Sequence, residues 1–212
     1  DLSTYSSNGT RQGGAIQAPS GYFGKGFSFD GDGDFINISS GAVKSFPAVV
    51  NYTWSAWVYP VSNSSIIGGI IQKCPGTWAS AVGYSIYLDS SRKVTLDDCM
   101  NSATSESSDG AISLNTWSHI AVTYRKASGG APNYTFYING VASGGSTASP
   151  VALGADTTSN VLIGQGANSN SLQVIYFNGT IDEFLIFNRS LSSAEISSLY
   201  NASANKYYNN FT

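Results

Sequence analysis

Short apolar runs, many of them alternating with polar residues, recur along the chain between Gly, Asn, Ser and Pro residues. Val, Ile, Tyr, Phe and Trp dominate the runs, as is typical of residues on a pleated sheet. Asn139-Gly140 follows one run and predicts a tight hairpin turn, because both central residues of such a turn need positive φ. The pattern predicts strands at Gly26–Phe29, Phe35–Ile38, Thr53–Tyr59, Ile66–Gln72, Tyr84–Leu88, Lys93–Leu96, Trp117–Tyr124, Tyr134–Ile138, Val161–Ile163, Gln173–Tyr176 and Ile181–Phe187.

One segment predicts a helix. Ser192 and Glu195 form an S-x-x-E capping box before Ile196 and Leu199, which indicates a helix of about two turns and gives Glu195 a structural role. Many strands with one short helix predict an all-β fold, a two-sheet antiparallel β-sandwich. We expect one domain over residues 1–200, and residues 201–212 form a linker-like tail or begin a following domain.

Composition narrows the class of protein. Of the 212 residues only 11% are charged, far below the usual quarter or so, and the chain holds 35 Ser and 14 Thr. The net charge is −3 and no Lys/Arg run exceeds two residues, so the basic stripe that nucleic-acid binding requires is missing. No apolar run is long enough to span a bilayer, so we expect no membrane insertion.

Glycosylation sequons and cysteines favour an extracellular or cell-surface location. Sequons are about twice as frequent as such a Ser/Thr-rich composition produces by chance, which favours an exported glycoprotein. Cys74 and Cys99 are the two cysteines, and in an oxidising compartment we expect them to form a disulfide that stabilises the fold by roughly 3 kcal/mol. The sequons begin at Asn8, Asn37, Asn51, Asn63, Asn133, Asn178, Asn188, Asn201 and Asn210.

Several motifs between Gly24 and Tyr200 carry a resemblance to a known family. In chain order they are Gly24–Gly31 (GKGFSFDG), Asp34–Ile36 (DFI), Thr53–Val58 (TWSAWV), Leu114–Tyr124 (LNTWSHIAVTY), Tyr137–Gly140 (YING) and Gly179–Ser192 (GTIDEFLIFNRSLS). In this order they resemble the laminin-G-like jelly-roll domain of the concanavalin A-like lectin/glucanase superfamily. The resemblance implies two antiparallel sheets packed face to face, and a binding or spacer module of a secreted or surface protein. It does not fix the ligand.

A calcium ion is predicted near the start of the domain. Asp30, Asp32 and Asp34 alternate with glycines, and carboxylates in such a segment suit a hard cation such as Ca²⁺. The resemblance adds Asp182, which matches an aspartate that often binds a structural calcium in these sandwiches. We therefore expect one structural Ca²⁺ held by Asp30, Asp32 and Asp182. The alternative is a solvated turn with an aspartate that accepts hydrogen bonds from backbone amides.

The candidate ligand site is aromatic. Trp78 lies in a loop-like stretch after Cys74, which the disulfide would stiffen, and we predict that Trp78 and Tyr84 contact the ligand. Trp57 and Trp117 belong to the motif strands, and we expect both in the core. His119 is the only histidine, and we expect it to have a structural, hydrogen-bonded role.

Enzyme activity is not expected. Glycoside cleavage needs two facing carboxylates, and none of the three glutamates, Glu106, Glu183 and Glu195, lies in an E-x-D-x-x-E strand. The leading hypothesis is a non-catalytic extracellular binding or adhesion module, stabilised by calcium, that recognises a glycan or a surface protein. The alternative is a structural spacer or filament subunit of a glycosylated cell-surface protein, whose partners include other copies or domains of that protein.

Overall fold

The structure, a computed structural model, describes residues 7–39, 51–61, 68–74, 83–99, 105–126, 132–146, 153, 159–168 and 173–204. These residues form sixteen strands and one helix. The strands are β1 Thr10–Gln12, β2 Ile16–Ala18, β3 Gly26–Asp30, β4 Phe35–Ile38, β5 Tyr52–Pro60, β6 Gly68–Lys73, β7 Tyr84–Leu88, β8 Lys93–Asp97, β9 Ser105–Ala111, β10 Ser118–Arg125, β11 Asn133–Ile138, β12 Val141–Ser146, β13 Val161–Ile163, β14 Gln165–Asn168, β15 Gln173–Tyr176 and β16 Asn178–Phe187, and the helix α1 is Ser193–Ala204.

The strands form a sandwich of two seven-stranded sheets. The first sheet has the order β1-β4-β13-β6-β7-β8-β9, and the second has the order β12-β11-β10-β5-β16-β3-β2. Neighbouring strands are antiparallel throughout both sheets. The predicted all-β sandwich of the concanavalin A-like jelly-roll type is therefore confirmed.

Strand periodicity separates the two faces of the second sheet. Along β10, Ile120, Val122 and Tyr124 belong to the core between the sheets. Successive side chains point to opposite faces, so His119, Ala121 and Thr123 lie on the outer face. β10 is nonetheless buried from Ser118 to Tyr124, because other segments cover part of that outer face.

Helix α1 provides much of this cover. Ile196 is fully buried in a second apolar cluster with Ala121, Tyr137 and Leu191. The predicted capping box is present: the Glu195 N–H donates to Ser192 Oγ, and the Ser192 N–H donates to Glu195 Oε2. The helix continues to Ala204, beyond the two turns expected. Its end is held by Ser203 Oγ, which donates to the carbonyl oxygens of Leu199 and Tyr200.

The hairpin of β14 and β15 covers part of the first sheet's outer face. The Ala167 N–H donates to Ser85 Oγ at 2.8 Å, which ties β14 to β7. Gly69 of β6 lies directly beneath, and a Cβ atom there would come within 1.7 Å of the Gly166 nitrogen. Glycine is therefore required at position 69 for the hairpin to reach the sheet.

Candidate functional site

The two residues predicted to contact a ligand have different outcomes. Trp78 lies outside the described residues. Tyr84 is only 6% exposed and belongs to the core between the sheets, where its ring centroid lies 4.7 Å from that of Trp54. The structure corrects the prediction for Tyr84, because strand alternation directs its ring inward and away from any ligand.

The two cysteines predicted to pair are joined. Cys74 follows β6, Cys99 follows β8, and their Cα atoms are 5.9 Å apart in a disulfide. The Cys99 N–H donates to Asp97 Oδ1 at 2.9 Å, which fixes the backbone beside the bridge. The disulfide thus connects strands that flank β7 in the first sheet.

The three predicted calcium ligands do not lie together. Asp30 pairs with Asn178 in the register of β3 and β16, whereas Asp182 is level with Gly26 at the other end of β3. Four residues of extended strand separate the two aspartates, roughly 13 Å, which is too far to share an ion. The described residues contain no group of three acidic, histidine or cysteine side chains placed to hold a metal ion.

Backbone amides instead engage the aspartate carboxylates. Asp182 is 8% exposed, and its two oxygens accept the Phe23 and Glu183 N–H groups at 2.7 and 2.8 Å. Near the other end of β3, Asp34 accepts hydrogen bonds from Gly14 and Asp30, and Asp30 accepts one from Asp32. Asp182 thereby holds the loop before β3 against the second sheet.

An open row of side chains crosses the outer face of the second sheet. The register aligns Ile16, Ser28, Thr180 and Tyr59 on neighbouring strands, and Trp117 stands beside Tyr59 with ring centroids 5.5 Å apart. Ile16 is 57% exposed and the other four are half-buried. From Ser28 through Thr180 and Tyr59 to Trp117 there are three inter-strand spacings of about 4.8 Å, so this stretch is about 14 Å long. We call Ser28, Tyr59, Trp117 and Thr180, together with Tyr22, the aromatic row.

Tyr22 joins the row from the loop before β3. Its ring lies flat on Trp57, with centroids 3.5 Å apart and planes 11° apart, and it meets Trp117 edge-on at 5.6 Å. Trp57 is 3% exposed, and its Nε1–H donates to Ser203 Oγ of helix α1. Trp57 is therefore buried, as expected, but on the outer face of the second sheet and not between the sheets. Trp117 is only half-buried, so the expectation that it lies in the core is wrong.

His119 packs against Trp57, the residue on which the Tyr22 ring of the row is stacked. Its Nε2 lies 2.8 Å from Ser55 Oγ, and the Trp57 and Tyr200 rings lie against it. The side chain is 1% exposed, and burial lowers the pKa of the imidazole to about 4. His119 is thus a neutral, hydrogen-bonded structural residue, as expected.

The aromatic row was not predicted from the sequence, because its residues are spread over several segments and no single motif contains all of them. Tyr59 and Trp117 are far apart in the chain, and Thr180 and Tyr22 come from two further segments. The usable signal was alternation in β5: Tyr59 shares a face with Thr53 and Ser55, which are polar, so that face is not the core. The mixed polar and aromatic character of this face distinguishes it from the apolar core.

The sequons are distributed over both sheets and the helix. Asn63 and Asn210 lie outside the described residues. Of the other sequon asparagines, Asn8, Asn188 and Asn201 are exposed, and the half-buried ones are Asn37, Asn51, Asn133 and Asn178. In the part of the chain that is described, no helix is long and apolar enough to cross a membrane.

Solved structures share this fold at low sequence identity. One, from a study showing that cell entry of botulinum neurotoxin type C depends on two ganglioside molecules, has a TM-score of 0.69 and 19% identity, over 96% of this chain and 48% of that one. The binding domain of botulinum neurotoxin DC in complex with rat synaptotagmin II has a TM-score of 0.67 and 17% identity, over 96% and 48%. The chain thus spans about half the length of these toxin structures.

A third structure is similar over most of its own length. Domain 4 of AbnA, an extracellular arabinanase from Geobacillus stearothermophilus in complex with arabinotriose, has a TM-score of 0.59 and 20% identity, over 89% of this chain and 82% of that one. No curated protein matches the chain by sequence. The family model Laminin_G_3, described as the concanavalin A-like lectin/glucanases superfamily, matches residues 30–197, well over half of the chain, so the chain belongs to this family.

Proposed function

We propose that the chain is a non-catalytic extracellular module that binds glycans on the aromatic row of the second sheet. The observation that carries this proposal is the set of half-buried rings of Tyr22, Tyr59 and Trp117, contiguous with the hydroxyls of Ser28 and Thr180. Each ring is fixed by neighbouring rings or strands, so little conformational entropy is lost when a ligand binds.

The chemistry of the row suits a sugar. A pyranose or furanose ring has an apolar C–H face and a polar rim, and an aromatic face combined with nearby hydroxyls complements both. Trp57 lies beneath Tyr22 and is held by Ser203, so the platform rests on a packed layer that does not need to rearrange. The row is long enough for several sugar units.

The comparisons support this class of ligand. Botulinum neurotoxin type C depends on ganglioside molecules for cell entry, and domain 4 of the arabinanase is in complex with arabinotriose. The synaptotagmin complex of a similar toxin domain makes a protein ligand the second class to test. A structural spacer without a ligand is the remaining alternative.

The hydrogen bonds of Asp182, a carboxylate beside the aromatic row, favour binding over hydrolysis. Asp182 pairs with Trp57 in the register of β16 and β5. Hydrolysis would require two carboxyl groups on either side of the glycosidic bond, one to transfer a proton and one to activate water or attack the sugar carbon. Both oxygens of Asp182 already accept backbone N–H groups, and the residue is buried. Asp182 therefore serves the loop rather than a reaction.

An extracellular location rests on the disulfide and on the surface composition. A Cys74–Cys99 bridge persists in oxidising compartments, and sequon asparagines such as Asn8 and Asn188 are exposed where a glycan has room. A low content of charged residues and an excess of hydroxyls agree with the same setting.

The experiment is a glycan-array screen with the wild-type chain and with Trp117→Ala and Tyr59→Ala variants. We expect selective binding by the wild type and about tenfold weaker binding by each variant, because each loses one stacking surface. Tyr176→Ala is the matched control, since Tyr176 is also half-buried but lies in β15 over the other sheet. Its affinity should equal that of the wild type.

Melting temperatures of all variants separate a lost surface from a lost fold. Binding that survives both row variants would place the glycan elsewhere and contradict the proposed site. A wild-type chain that binds no glycan, but captures a purified surface protein, would replace the glycan by a protein ligand. Absence of both would leave the structural spacer.

A further inference from the structure

A polar groove lies at the opposite end of the second sheet's outer face. It is bounded by strands β10, β11 and β12 and by the segment leading into helix α1, and its volume is about 720 Å³. Arg125 in the groove and Trp117 in the aromatic row are separated by eight residues of extended chain, about 27 Å. Ala121 lies between the groove and the aromatic row, and Leu191 and Ile196 pack over it, so the two surfaces are separate. We call this feature the Arg125 groove.

The lining of the Arg125 groove is rich in hydroxyl groups. It includes Thr123, Arg125, Thr135, Tyr137, Ser190 and Ser193. Among the described residues that line the groove none is a carboxylate, and Arg125 is the charged one. The lining thus combines one positive charge with groups that both donate and accept hydrogen bonds.

Some of these hydroxyls are engaged and others are available. Tyr137 Oη and Ser193 Oγ lie 3.0 Å apart, and Thr123 Oγ1 donates to the Thr135 carbonyl oxygen. The Thr135 and Ser190 hydroxyls bond to no residue within the described ranges, and both side chains are half-buried. They therefore present hydroxyl groups to the groove that a ligand can engage.

Arg125 is exposed at one end of the groove. The strand register places Asn133 opposite it on β11. On the β5 side, Tyr52 pairs with Tyr124 and Asn51 comes directly before Tyr52. The Arg125 guanidinium group makes no hydrogen bond or ion pair with the described part of the chain. Arg189, which lies just outside the lining, differs because it is paired with Glu195 at 2.7 Å.

We propose that the Arg125 groove binds a saccharide that carries a carboxylate, with the carboxylate on the Arg125 guanidinium and the sugar hydroxyls on the Thr135 and Ser190 side. A guanidinium offers two parallel N–H groups that match the two oxygens of a carboxylate. The inference extends the proposed glycan binding to a second site and to an acidic class of sugar.

The charge of the groove selects a carboxylate over a polyanion. One unpaired cation balances one negative charge, whereas a sulfated chain needs a row of cations along its length. Lys126 lies just beyond the end of β10, and it does not line the groove. The net charge of −3 gives no broader basic field.

The test measures binding by the wild-type chain to three matched oligosaccharides: one ending in an uronic or sialic acid, its methyl ester, and a sulfated analogue. We expect the acid to bind and the ester, which has lost its charge, to bind roughly ten- to hundredfold more weakly. The sulfated analogue should bind no better than the acid. Uronic and sialic acids are assayed separately, which identifies the source of the carboxylate.

Variants place the site. Arg125→Gln should weaken binding of the acid to the level of the ester, and Arg125→Lys should recover only part of it, because an ammonium group lacks the planar fork. Lys126→Gln changes the net charge equally at an exposed residue outside the groove, and it should bind as the wild type does. Thr135 also completes the Asn133 sequon, so Thr135→Val is compared with the wild type in protein expressed without N-glycosylation, where it should weaken binding of acid and ester alike.

The outcomes distinguish this inference from the proposed function. If Arg125→Gln binds the acid as well as the wild type does, the groove is not the site and the inference is overturned. If acid binding is then lost in Trp117→Ala, the glycan function stands and belongs to the aromatic row alone. If the acid still binds to the groove in the Trp117→Ala variant, the inference is supported even where the aromatic row binds no glycan.

Discussion

Tyr22 lies flat on Trp57, with the two ring centroids 3.5 Å apart. One residue comes from a loop and the other from the middle of the second sheet, so this contact fastens the loop to the outer face. Asp182 fastens the same loop by accepting the Phe23 N–H. The aromatic row therefore depends on a loop held at two points.

Replacing Tyr22 by alanine should destabilise the fold and loosen the row. The ring is half-buried, and losing its stacking and burial should cost about 2 kcal/mol of unfolding free energy. Trp57 would gain contact with water, so tryptophan emission should shift to longer wavelength. Urea unfolding and fluorescence of Tyr22→Ala measure both effects, and Tyr22→Phe, which keeps the ring, is the control. Unchanged emission in Tyr22→Ala would mean that the stack does not shield Trp57.

The strand pattern predicted the interior of both sheets but none of their edges. The strands missed at the four edges are β1, β9, β12 and β2. β9 reads SESSDGA and β12 reads VASGGS, which have little apolar alternation, because an edge strand has one partner and a largely solvated face. Periodicity reports burial, so it detects strands that are buried and passes over those that are not.

The site was less predictable than the fold, for a related reason. Tyr84 is predicted to contact a ligand together with the loop residue Trp78, yet it occupies a core position in β7. Asp182 was assigned to calcium together with Asp30, but antiparallel pairing of β3 and β16 places them at opposite ends. The resemblance supplied residue types and their order, whereas the register that decides which side chains meet emerges only from the folded sheets.

A calcium ion at the turn of Asp30 and Asp32 stays a prediction, and a thermal melt tests it. Asp32 is exposed and leaves carboxylate oxygens for a cation, while Asp182 is committed to the loop. If the turn binds calcium, EDTA should lower the melting temperature of the wild type, and Asp32→Asn should abolish that response. Asp182→Asn should lower the melting temperature equally with Ca²⁺ and with EDTA, because it removes an amide acceptor rather than a ligand. A wild-type melt that EDTA leaves unchanged would contradict calcium stabilisation.

His119 should make the stability depend on pH in a mildly acidic window. Burial lowers its folded pKa to about 4, against the usual 6.5 in the unfolded chain. Between these two pKa values the imidazole is protonated in the unfolded state but not in the folded state. The free energy of unfolding is therefore highest above pH 6.5 and falls as the pH falls towards 4. For a shift of this size the loss between pH 7 and pH 5 is about 2 kcal/mol.

The measurement is urea unfolding at pH 7, 6 and 5. His119 is the only histidine in the chain, so His119→Gln, which can still hydrogen-bond to Ser55, should unfold at urea concentrations that vary little over this range. Ser55→Ala is the matched control: it removes the same hydrogen bond but keeps the imidazole, so its stability should be lower throughout and should still fall with pH. Equal pH dependence in the wild type and in His119→Gln would show that other groups, and not the buried imidazole beneath Trp57, set the acid sensitivity of the fold.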